Sequence, residues 1–410
     1  MKKSLVALAA LAVVGAASAQ SSVTLYGVVD IGYGQQTTEQ RANPLTGTVN
    51  SLRSRGVIDG ANAGNRIGFR GTEDLGGGLK ANFVVEQGIT PTGNGAGLFT
   101  ARVASAGQQV FVPGFVYPGF NNALGAVGAT TAASSFAGST NRQTYVGLSG
   151  ASWGTVNIGY TYNNTYELGT LSGYNVGSEG IPGAVTAHLH GQTYLGNSRS
   201  NGLTYISPNF GGGFTIRAQY GSLGAGTAET VQSTVAGVTT RLEGRRYGLM
   251  AQYANGPLSV ALGYTNARVN NAATLTSRTG NLIQLGGSYD FGVVKLAGTY
   301  NTGRDGGIGA ANFGAVPGTS TAYRGYQLGL SAPFGAVVPF ITFGRAYATT
   351  DGAAARAVDI KQSQIGVRYS LSKRTTAYAF YGQNTDDAQT FAAGGVYKDR
   401  KTIIGVAHSF

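Results

Sequence analysis

The stretch VTLYGVVDIGY, residues 23–33, shows the pattern that decides the fold. Val23, Leu25 and Ile31 fall on one face of an extended chain, whereas Thr24 and Asp30 fall on the other. A period of two is typical of a β-strand that has one apolar face. The same alternation returns at residues 214–220, 258–265, 294–300, 364–370 and 403–410. The sequence therefore predicts an all-β chain made of many such strands.

The composition excludes several classes of protein. Only 11% of the 410 residues are charged, against about 25% in an ordinary soluble domain. Beyond the N-terminus no run of roughly 18 apolar residues occurs, which excludes a helical membrane protein. The 23 tyrosines and 17 phenylalanines argue against disorder, and the absence of cysteine excludes disulfides and thiol nucleophiles.

The N-terminus has the features of an export signal. Lys2 and Lys3 precede a short apolar segment, residues 5–16, and Ala17-Ser18-Ala19 forms an A-x-A cleavage site. We expect residues 1–19 to be removed as a signal peptide. Residues 20–410 are then expected to form a single domain that is exported into the periplasm.

Seven short turn signals, rich in Gly, Pro and Asn, divide the chain into strand pairs. They lie at residues 73–78, 151–154, 207–212, 255–257, 290–292, 333–336 and 371–373. Eight longer polar connections separate the pairs, near residues 35–63, 89–140, 163–198, 222–243, 267–280, 303–323, 348–360 and 385–400. Together with the two free ends, these connections predict sixteen strands. Short turns on one side and long loops on the other are the layout of an outer-membrane barrel.

The two strand faces separate a membrane barrel from a soluble sandwich. A sandwich would carry abundant Lys, Glu and Asp on its outer face. Here the polar face is mostly Thr, Ser, Gln and Gly. The apolar face often ends in an aromatic residue, as expected for the aromatic girdles at the two membrane interfaces. These aromatic residues are Tyr33, Tyr220, Tyr264, Tyr300, Tyr369 and Phe410. A barrel leaves no open sheet edge in hydrocarbon, and sixteen strands leave an aqueous lumen. The fold prediction is a 16-stranded antiparallel transmembrane β-barrel.

Several fragments resemble the trimeric Gram-negative porins, particularly their beta-proteobacterial branch. They lie at residues 23–27, 65–81, 142–149, 199–205 and 371–375 and at the terminal Phe410. The resemblance implies a homotrimeric general diffusion channel among outer-membrane lipids, with its third external loop folded into the lumen. It also implies that Phe410 belongs to a signal that the barrel-assembly machinery reads.

Four arginines are candidates for a basic wall at the narrowest part of the pore. Arg66 and Arg70 share a face opposite Ile67 and Phe69, so alternation directs both into the lumen. A charge on the lipid face would cost about 2–4 kcal/mol at mid-bilayer. The resemblance implies that Arg66, Arg142 and Arg199 line one side of the constriction. Alternation gives the inward face to three further residues that could extend a basic track: Arg217, Lys295 and Arg368.

Two carboxylates are expected to face this wall. Before Arg199, the loop at residues 163–198 carries only Glu167 and Glu179 as charged groups. Two acidic groups against several arginines leave a net positive constriction, and the whole chain carries a formal charge of +12. Such a field predicts that the channel prefers anions and small hydrophilic solutes.

Other interpretations of the sequence stay open or carry little support. Residues 89–140 form an aromatic-containing segment that suits an elaborated surface loop, a latch onto a neighbouring subunit or a flap over the pore. The alternative functions are a channel specific for a sugar or an organic acid, or a surface adhesin barrel.

His188 and His190 form an H-x-H pair without nearby carboxylate ligands, so we predict no metal site and no cofactor. No catalytic motif is present, and the basic residues do not cluster as nucleic-acid binding requires.

Overall fold

The computed structural model describes residues 22–40, 51–91, 140–171, 199–222, 230–235, 238–271, 276–304, 320–350, 358–386 and 396–410. The predicted signal peptide, most of the segment at 89–140, the H-x-H pair and Glu179 lie outside these residues. The predictions made for them, including the domain boundary after residue 19, stay predictions.

The described residues contain eighteen β-segments and one helix. The first nine are β1 Ser22–Gln40, β2 Ser51–Asp59, β3 Arg66–Gly76, β4 Leu79–Gly88, β5 Thr140–Gly150, β6 Gly154–Tyr162, β7 Arg199–Ile206, β8 Phe214–Ser222 and β9 Thr230–Val235. The others are β10 Val238–Asn255, β11 Leu258–Asn271, β12 Thr276–Asp290, β13 Lys295–Arg304, β14 Thr321–Ser331, β15 Val337–Thr350, β16 Val358–Ser370, β17 Thr375–Asp386 and β18 Val396–Ser409. Helix α1, Asn164–Leu171, follows β6.

These segments form one closed antiparallel barrel of sixteen strands, as predicted. The sheet closes because β1 pairs with β18 along most of its length. β2 and β3 pair with successive parts of β1, so they are two halves of one barrel strand. β8 and β9 likewise pair with successive parts of β10. Eighteen segments therefore make sixteen strands.

The wall of the barrel is apolar outside and polar inside. Leu262 and Ile404 are 56% and 59% exposed on the outer face, whereas Gln284 and Asn301 are 1% and 2% exposed on the inner face. Gln284 donates to Asn301 at 2.7 Å. A soluble protein has the opposite distribution, so this wall is built to contact lipid.

All seven predicted short turns are present. At the β3–β4 turn, Gly77 and Gly78 have φ values of 62° and 81°, which glycine adopts without steric cost. Some long connections are shorter than the sequence suggested, because β1 extends to Gln40, β11 extends to Asn271 and β12 already begins at Thr276. The apolar alternation stops where strands leave the membrane, although the backbone pairing continues beyond that point.

One stretch assigned to the first external connection instead bends against the inner wall. Residues 60–65 separate β2 from β3, and Ala61 packs in an inner apolar cluster. The members of the cluster are Ile58, Ala61, Phe340, Tyr378, Phe380, Ile403 and Ala407. Asp30 accepts hydrogen bonds from the backbone N–H groups of Asn62 and Ala63, both at 2.6 Å. The bend is therefore anchored to β1.

Helix α1 lies against inward-facing residues of the barrel. The Asn163 side chain accepts a hydrogen bond from the backbone N–H of Tyr166 at 3.0 Å and so caps the helix. Leu168 is fully buried against Met250 of β10 and Ala261 of β11. The rest of the third connection, residues 172–198, lies outside the described residues, so a loop folded into the lumen stays a prediction. Within the described ranges, no helix has the length and hydropathy needed to cross a membrane.

Candidate functional site

Glu86 on β4 is the centre of the charged cluster on the inner wall. It is 5% exposed, and one of its carboxylate oxygens lies 2.8 Å from Arg142 Nε. The other oxygen lies 3.7 Å from Arg66 Nε. The hydroxyl groups of Tyr26 and Tyr162 donate to this carboxylate at 3.0 Å and 3.3 Å. We call these five residues the Glu86 cluster.

The strand register explains how Tyr26 reaches Glu86. Tyr26 pairs with Gly68 on β3, and Gly68 pairs in turn with Glu86 on β4. A Cβ atom on Gly68 would lie 2.6 Å from the Tyr26 ring, so any larger residue at this position would force the ring to move. The missing side chain therefore lets the tyrosine ring cross an entire strand and meet the carboxylate.

A β-bulge brings Arg142 into the cluster. Val146 and Leu148 are exposed on the outer face, so strict alternation along β5 would place Arg142 outside as well. The register shifts at this point, because Glu86 pairs with Gln143 whereas Gln87 pairs with Asn141. The extra residue is Arg142, and bulges are known to redirect side chains in this way. Its guanidinium also donates to the Tyr162 hydroxyl at 2.8 Å.

Two further arginines stack on the tyrosines of the cluster. The guanidinium carbon of Arg199 lies 4.8 Å from the centroid of the Tyr162 ring, and Arg199 Nη2 donates to the Tyr162 hydroxyl at 3.3 Å. The guanidinium carbon of Arg70 lies 5.0 Å from the centroid of the Tyr26 ring. Cation–π contacts of this kind restrain a guanidinium without neutralising its charge. The four arginines predicted for the wall are thus held together by Tyr26, Tyr162 and Glu86.

Arg217 joins the wall from the side of the helix. It is 9% exposed, its Nη2 donates to the Tyr162 backbone carbonyl at 2.7 Å, and its Nη1 lies 3.6 Å from Glu167 in α1. The ring of Tyr166 in α1 stacks on that of Tyr162 at a centroid distance of 4.0 Å. The end of β6 and the start of α1 are therefore fixed to the same cluster.

The other two residues of the predicted basic track lie elsewhere. Lys295 begins β13 at the short-turn end of the barrel, where it pairs with Asp290. Arg368 lies beside the inner apolar cluster, where its Nε donates to Asn62 at 2.8 Å and its guanidinium stacks 4.8 Å from the Phe340 ring centroid. Of the three track candidates, the structure brings only Arg217 to the Glu86 cluster.

Sequence reasoning missed the three residues that hold the arginines. Alternation along β4 gives Asn82 and Glu86 the same inward face, so the pattern contained a signal for Glu86. Tyr26 also alternates with the outward Val23 and Leu25 positions, but alternation along β6 would place Tyr162 on the same outer face as Ile158, so the pattern contained no signal for it. Among the described residues, no group of three or more His, Asp or Glu side chains could hold a metal ion.

The site holds more positive than negative charge. Five arginines, Arg66, Arg70, Arg142, Arg199 and Arg217, surround two carboxylates, Glu86 and Glu167. Arginine stays protonated at any working pH and its planar group has five N–H donors. The cluster can therefore offer fixed positive charge to an anion in the lumen.

Comparisons with known proteins agree with this architecture. The family model for Gram-negative porins matches residues 5–389. Outer membrane porin protein 32 of Delftia acidovorans is 31% identical over 428 residues, which cover 100% of both chains.

Two solved structures share the fold. The anion-selective porin from Comamonas acidovorans superposes with a TM-score of 0.62 and 24% identity, covering 95% of this chain and 100% of its own. The trimer form of OmpT, an outer membrane protein of Vibrio cholerae, superposes with a TM-score of 0.55 and 12% identity, covering 95% and 99%. From the family match and the full-length relative we conclude that the chain belongs to the Gram-negative porins, a family of outer-membrane channel proteins.

Proposed function

We propose that this porin is a water-filled diffusion channel that prefers anions, and that the arginines around Glu86 form its constriction. The observation that carries the proposal is the surplus of charge at the site, where five arginines meet two glutamates. A low-dielectric wall around a water-filled opening focuses such a field and raises the local concentration of counter-ions. Small anions would therefore enter more readily than cations.

The restraints on the arginines support this role. Arg142 has a side-chain exposure of 12% and is bound to both Glu86 and Tyr162, so its charge has a fixed position. A free arginine side chain would lose rotamer entropy on meeting each solute. Because the cluster has already fixed these side chains, a passing anion meets donors that need no rearrangement. Passage then involves no chemical step, no cofactor and no metal, and the channel is not an enzyme.

The remaining parts of the proposal concern assembly and solutes. We infer a homotrimer among outer-membrane lipids that is inserted by the barrel-assembly machinery, with Phe410 as part of the assembly signal. The trimer form of the Vibrio cholerae neighbour supports this inference. The backbone N–H and C=O of Phe410 pair with Gly27 at 3.1 Å, which is what a closing strand requires. Glu179 is proposed to face the arginines beside Glu167.

The reversal potential of the channel under a KCl gradient tests the proposal. Purified protein is reconstituted in a planar bilayer, and wild type is compared with R66Q/R142Q/R199Q. We expect wild type to prefer chloride, and we expect the variant to lose most of that preference because three charges leave the constriction. The preference should also decrease from 0.1 M to 1 M salt, since the Debye length falls from about 10 Å to about 3 Å.

A matched variant separates a local effect from one of total charge. R268Q/R304Q/R324Q also removes three positive charges, but these residues are exposed on the outward faces of β11, β13 and β14. It should conduct like wild type. Cation preference in the wild type, or equal loss in both variants, would refute the arginine constriction. Conductance that one sugar or organic acid blocks would instead favour a substrate-specific channel.

A further inference from the structure

The bend at residues 60–65 connects two arginines that come from different parts of the inner wall. Arg66 Nη1 donates to the backbone carbonyl of Gly64 at 3.1 Å, and Arg368 Nε donates to the side-chain oxygen of Asn62 at 2.8 Å. Arg66 starts β3, whereas Arg368 lies near the end of β16. Strands β1, β18 and β17 lie between β3 and β16 in the sheet, so strand pairing alone does not join these two side chains. The bend is the element that both of them reach.

An aromatic platform on the inner wall sets the position of Arg368. Phe340 on β15 pairs with Gly366 on β16, and Gly366 pairs with Phe380 on β17. A Cβ atom on Gly366 would lie 2.6 Å from each ring, so the glycine lets the two rings meet across β16 at a centroid distance of 5.3 Å. The guanidinium carbon of Arg368 lies 4.8 Å from the Phe340 centroid and 6.0 Å from the Phe380 centroid. Ring faces restrain a guanidinium without removing its charge.

The bend itself is fixed at both of its ends. The backbone N–H of Gly60 donates to the Asp30 carbonyl at 2.9 Å, and the φ of 68° at Gly60 turns the chain inward. The Asp30 carboxylate accepts from the backbone N–H groups of Asn62 and Ala63. At the other end, the side-chain oxygen of Asn65 accepts from the backbone N–H of Asp30. The residues that bind the two arginines therefore keep fixed positions.

The separation of the two arginines follows from this bend. Strands β3 and β16 are four strand spacings apart, or about 19 Å along the wall. Asn62 and Gly64, in contrast, are two residues apart, so at most about 7 Å of chain separates them. Each guanidinium contacts one of these two residues, and the bend thus sets the distance between the two cations.

Both arginines are accessible from the lumen. Arg66 has a side-chain exposure of 28% and Arg368 is partly exposed. Arg368 shares the inward face of β16 with the buried Gln362 and Gln364, since a step of two residues along a strand keeps a side chain on the same face. A planar guanidinium has several N–H donors, so one bond to the bend does not exhaust its capacity. A solute that follows the inner wall therefore meets two fixed cations in one place.

We propose that Arg368 is a further selectivity residue of the pore and that it acts together with Arg66 on solutes that carry two anionic groups. One anionic group binds Arg66 and the other binds Arg368, on the lumen side of the bend. Guanidinium groups form their strongest hydrogen bonds with oxyanions of this kind. A solute with a single anionic group binds only one of the two arginines at a time. The proposal rests on the anion-preferring channel proposed above and extends it to a class of solute.

Inhibition of the chloride current by a disulfonate tests the proposal on the purified full-length protein in a planar bilayer. Ethanedisulfonate carries two sulfonate groups, ethanesulfonate carries one, and both solutes stay ionised at any working pH. For each solute the concentration that halves the chloride current is measured in wild type, R66Q and R368Q. Either substitution should raise the value for ethanedisulfonate about tenfold, because a contact between charged groups is lost. The value for ethanesulfonate should change much less, since one arginine remains.

Two further variants separate bridging from the field of the whole pore. N62A keeps every charge but removes the hydrogen bond that holds Arg368 to the bend. It should raise the ethanedisulfonate value about threefold or more. R278Q removes one charge from the inward face of β12, away from the bend, and should keep the wild-type ratio between the two solutes. An equal change of this ratio in R278Q and R368Q, or a wild-type ratio in N62A, would overturn the proposal.

A series of disulfonates needs no variant. Methanedisulfonate, ethanedisulfonate and butanedisulfonate carry the same charge at different spacings, so bridging requires half-inhibition concentrations that depend on the spacing. Equal values across the series overturn the proposal even if R368Q fails to assemble. The same recordings give the chloride-to-potassium permeability ratio of the wild type. Chloride preference together with a wild-type ratio between the two solutes in R368Q refutes only the role of Arg368, whereas potassium preference refutes the anion-preferring channel itself.

Discussion

Two buried carboxylates on the inner wall, Asp30 on β1 and Glu86 on β4, have different kinds of partners. Asp30 is 0% exposed and Glu86 is 5% exposed. Asp30 accepts from two backbone N–H groups of the bend at residues 60–65 and from the Tyr378 hydroxyl at 2.6 Å. Glu86 accepts from two tyrosines and faces Arg66 and Arg142.

The difference in partners assigns different tasks to the two groups. A carboxylate that binds backbone donors fixes the path of the chain, and here it holds the bend against the inner apolar cluster. A carboxylate that binds guanidinium groups fixes the position of charges. Removing Asp30 should therefore affect stability, and removing Glu86 should affect selectivity.

The largest expected effect is the loss of stability in D30A. The substitution leaves two backbone donors and the Tyr378 hydroxyl without their acceptor, at about 1–3 kcal/mol for each buried group. We expect the free energy of unfolding to fall by roughly 3 kcal/mol or more, measured by urea denaturation of the folded barrel in detergent. D30N keeps a side-chain oxygen and should lose less. Wild-type stability in D30A would contradict the anchoring role.

A smaller effect distinguishes the tyrosines that donate to the two carboxylates. Y378F removes one hydrogen-bond donor from the fully buried Asp30 and should cost roughly 1.5 kcal/mol, because the acceptor is charged. Y26F should cost less, since Glu86 keeps Arg142 and Tyr162. The same denaturation measurement compares the two variants. Equal losses, or a larger loss in Y26F, would show that the two carboxylates do not differ as described.

Most of the barrel could be predicted from the sequence because its signals are local. Alternation along residues 23–33 gives the faces of β1, and glycine or proline marks six of the seven short connections. The extensions of β1 and β10 beyond the membrane were not predictable, because polar residues on both faces carry no periodic pattern. The bend at residues 60–65 depends on Asp30 and on strands β15, β17 and β18, which are remote in sequence.

The site was predictable only in part, because several of its contacts also join residues that are remote in sequence. Arg66 and Arg70 follow alternation, so their inward face could be read from their neighbours. Arg142 violates alternation because of the bulge opposite Glu86, and only the pairing of β4 with β5 reveals it. The meeting of Tyr26 with Glu86 depends on Gly68 lying between them in the register. Such contacts arise from strand pairing and leave no mark in one strand alone.

The chloride-to-potassium permeability ratio of E86Q, beside wild type and D30N, tests the central claim most directly. The claim is that the arginines held by Glu86 set the selectivity of the channel. Replacing Glu86 by glutamine removes one of the two negative charges described among the five arginines and keeps the size of the side chain. We predict a higher ratio in E86Q than in wild type and an unchanged ratio in D30N. A ratio in E86Q that equals that of wild type, or falls below it, would contradict the account.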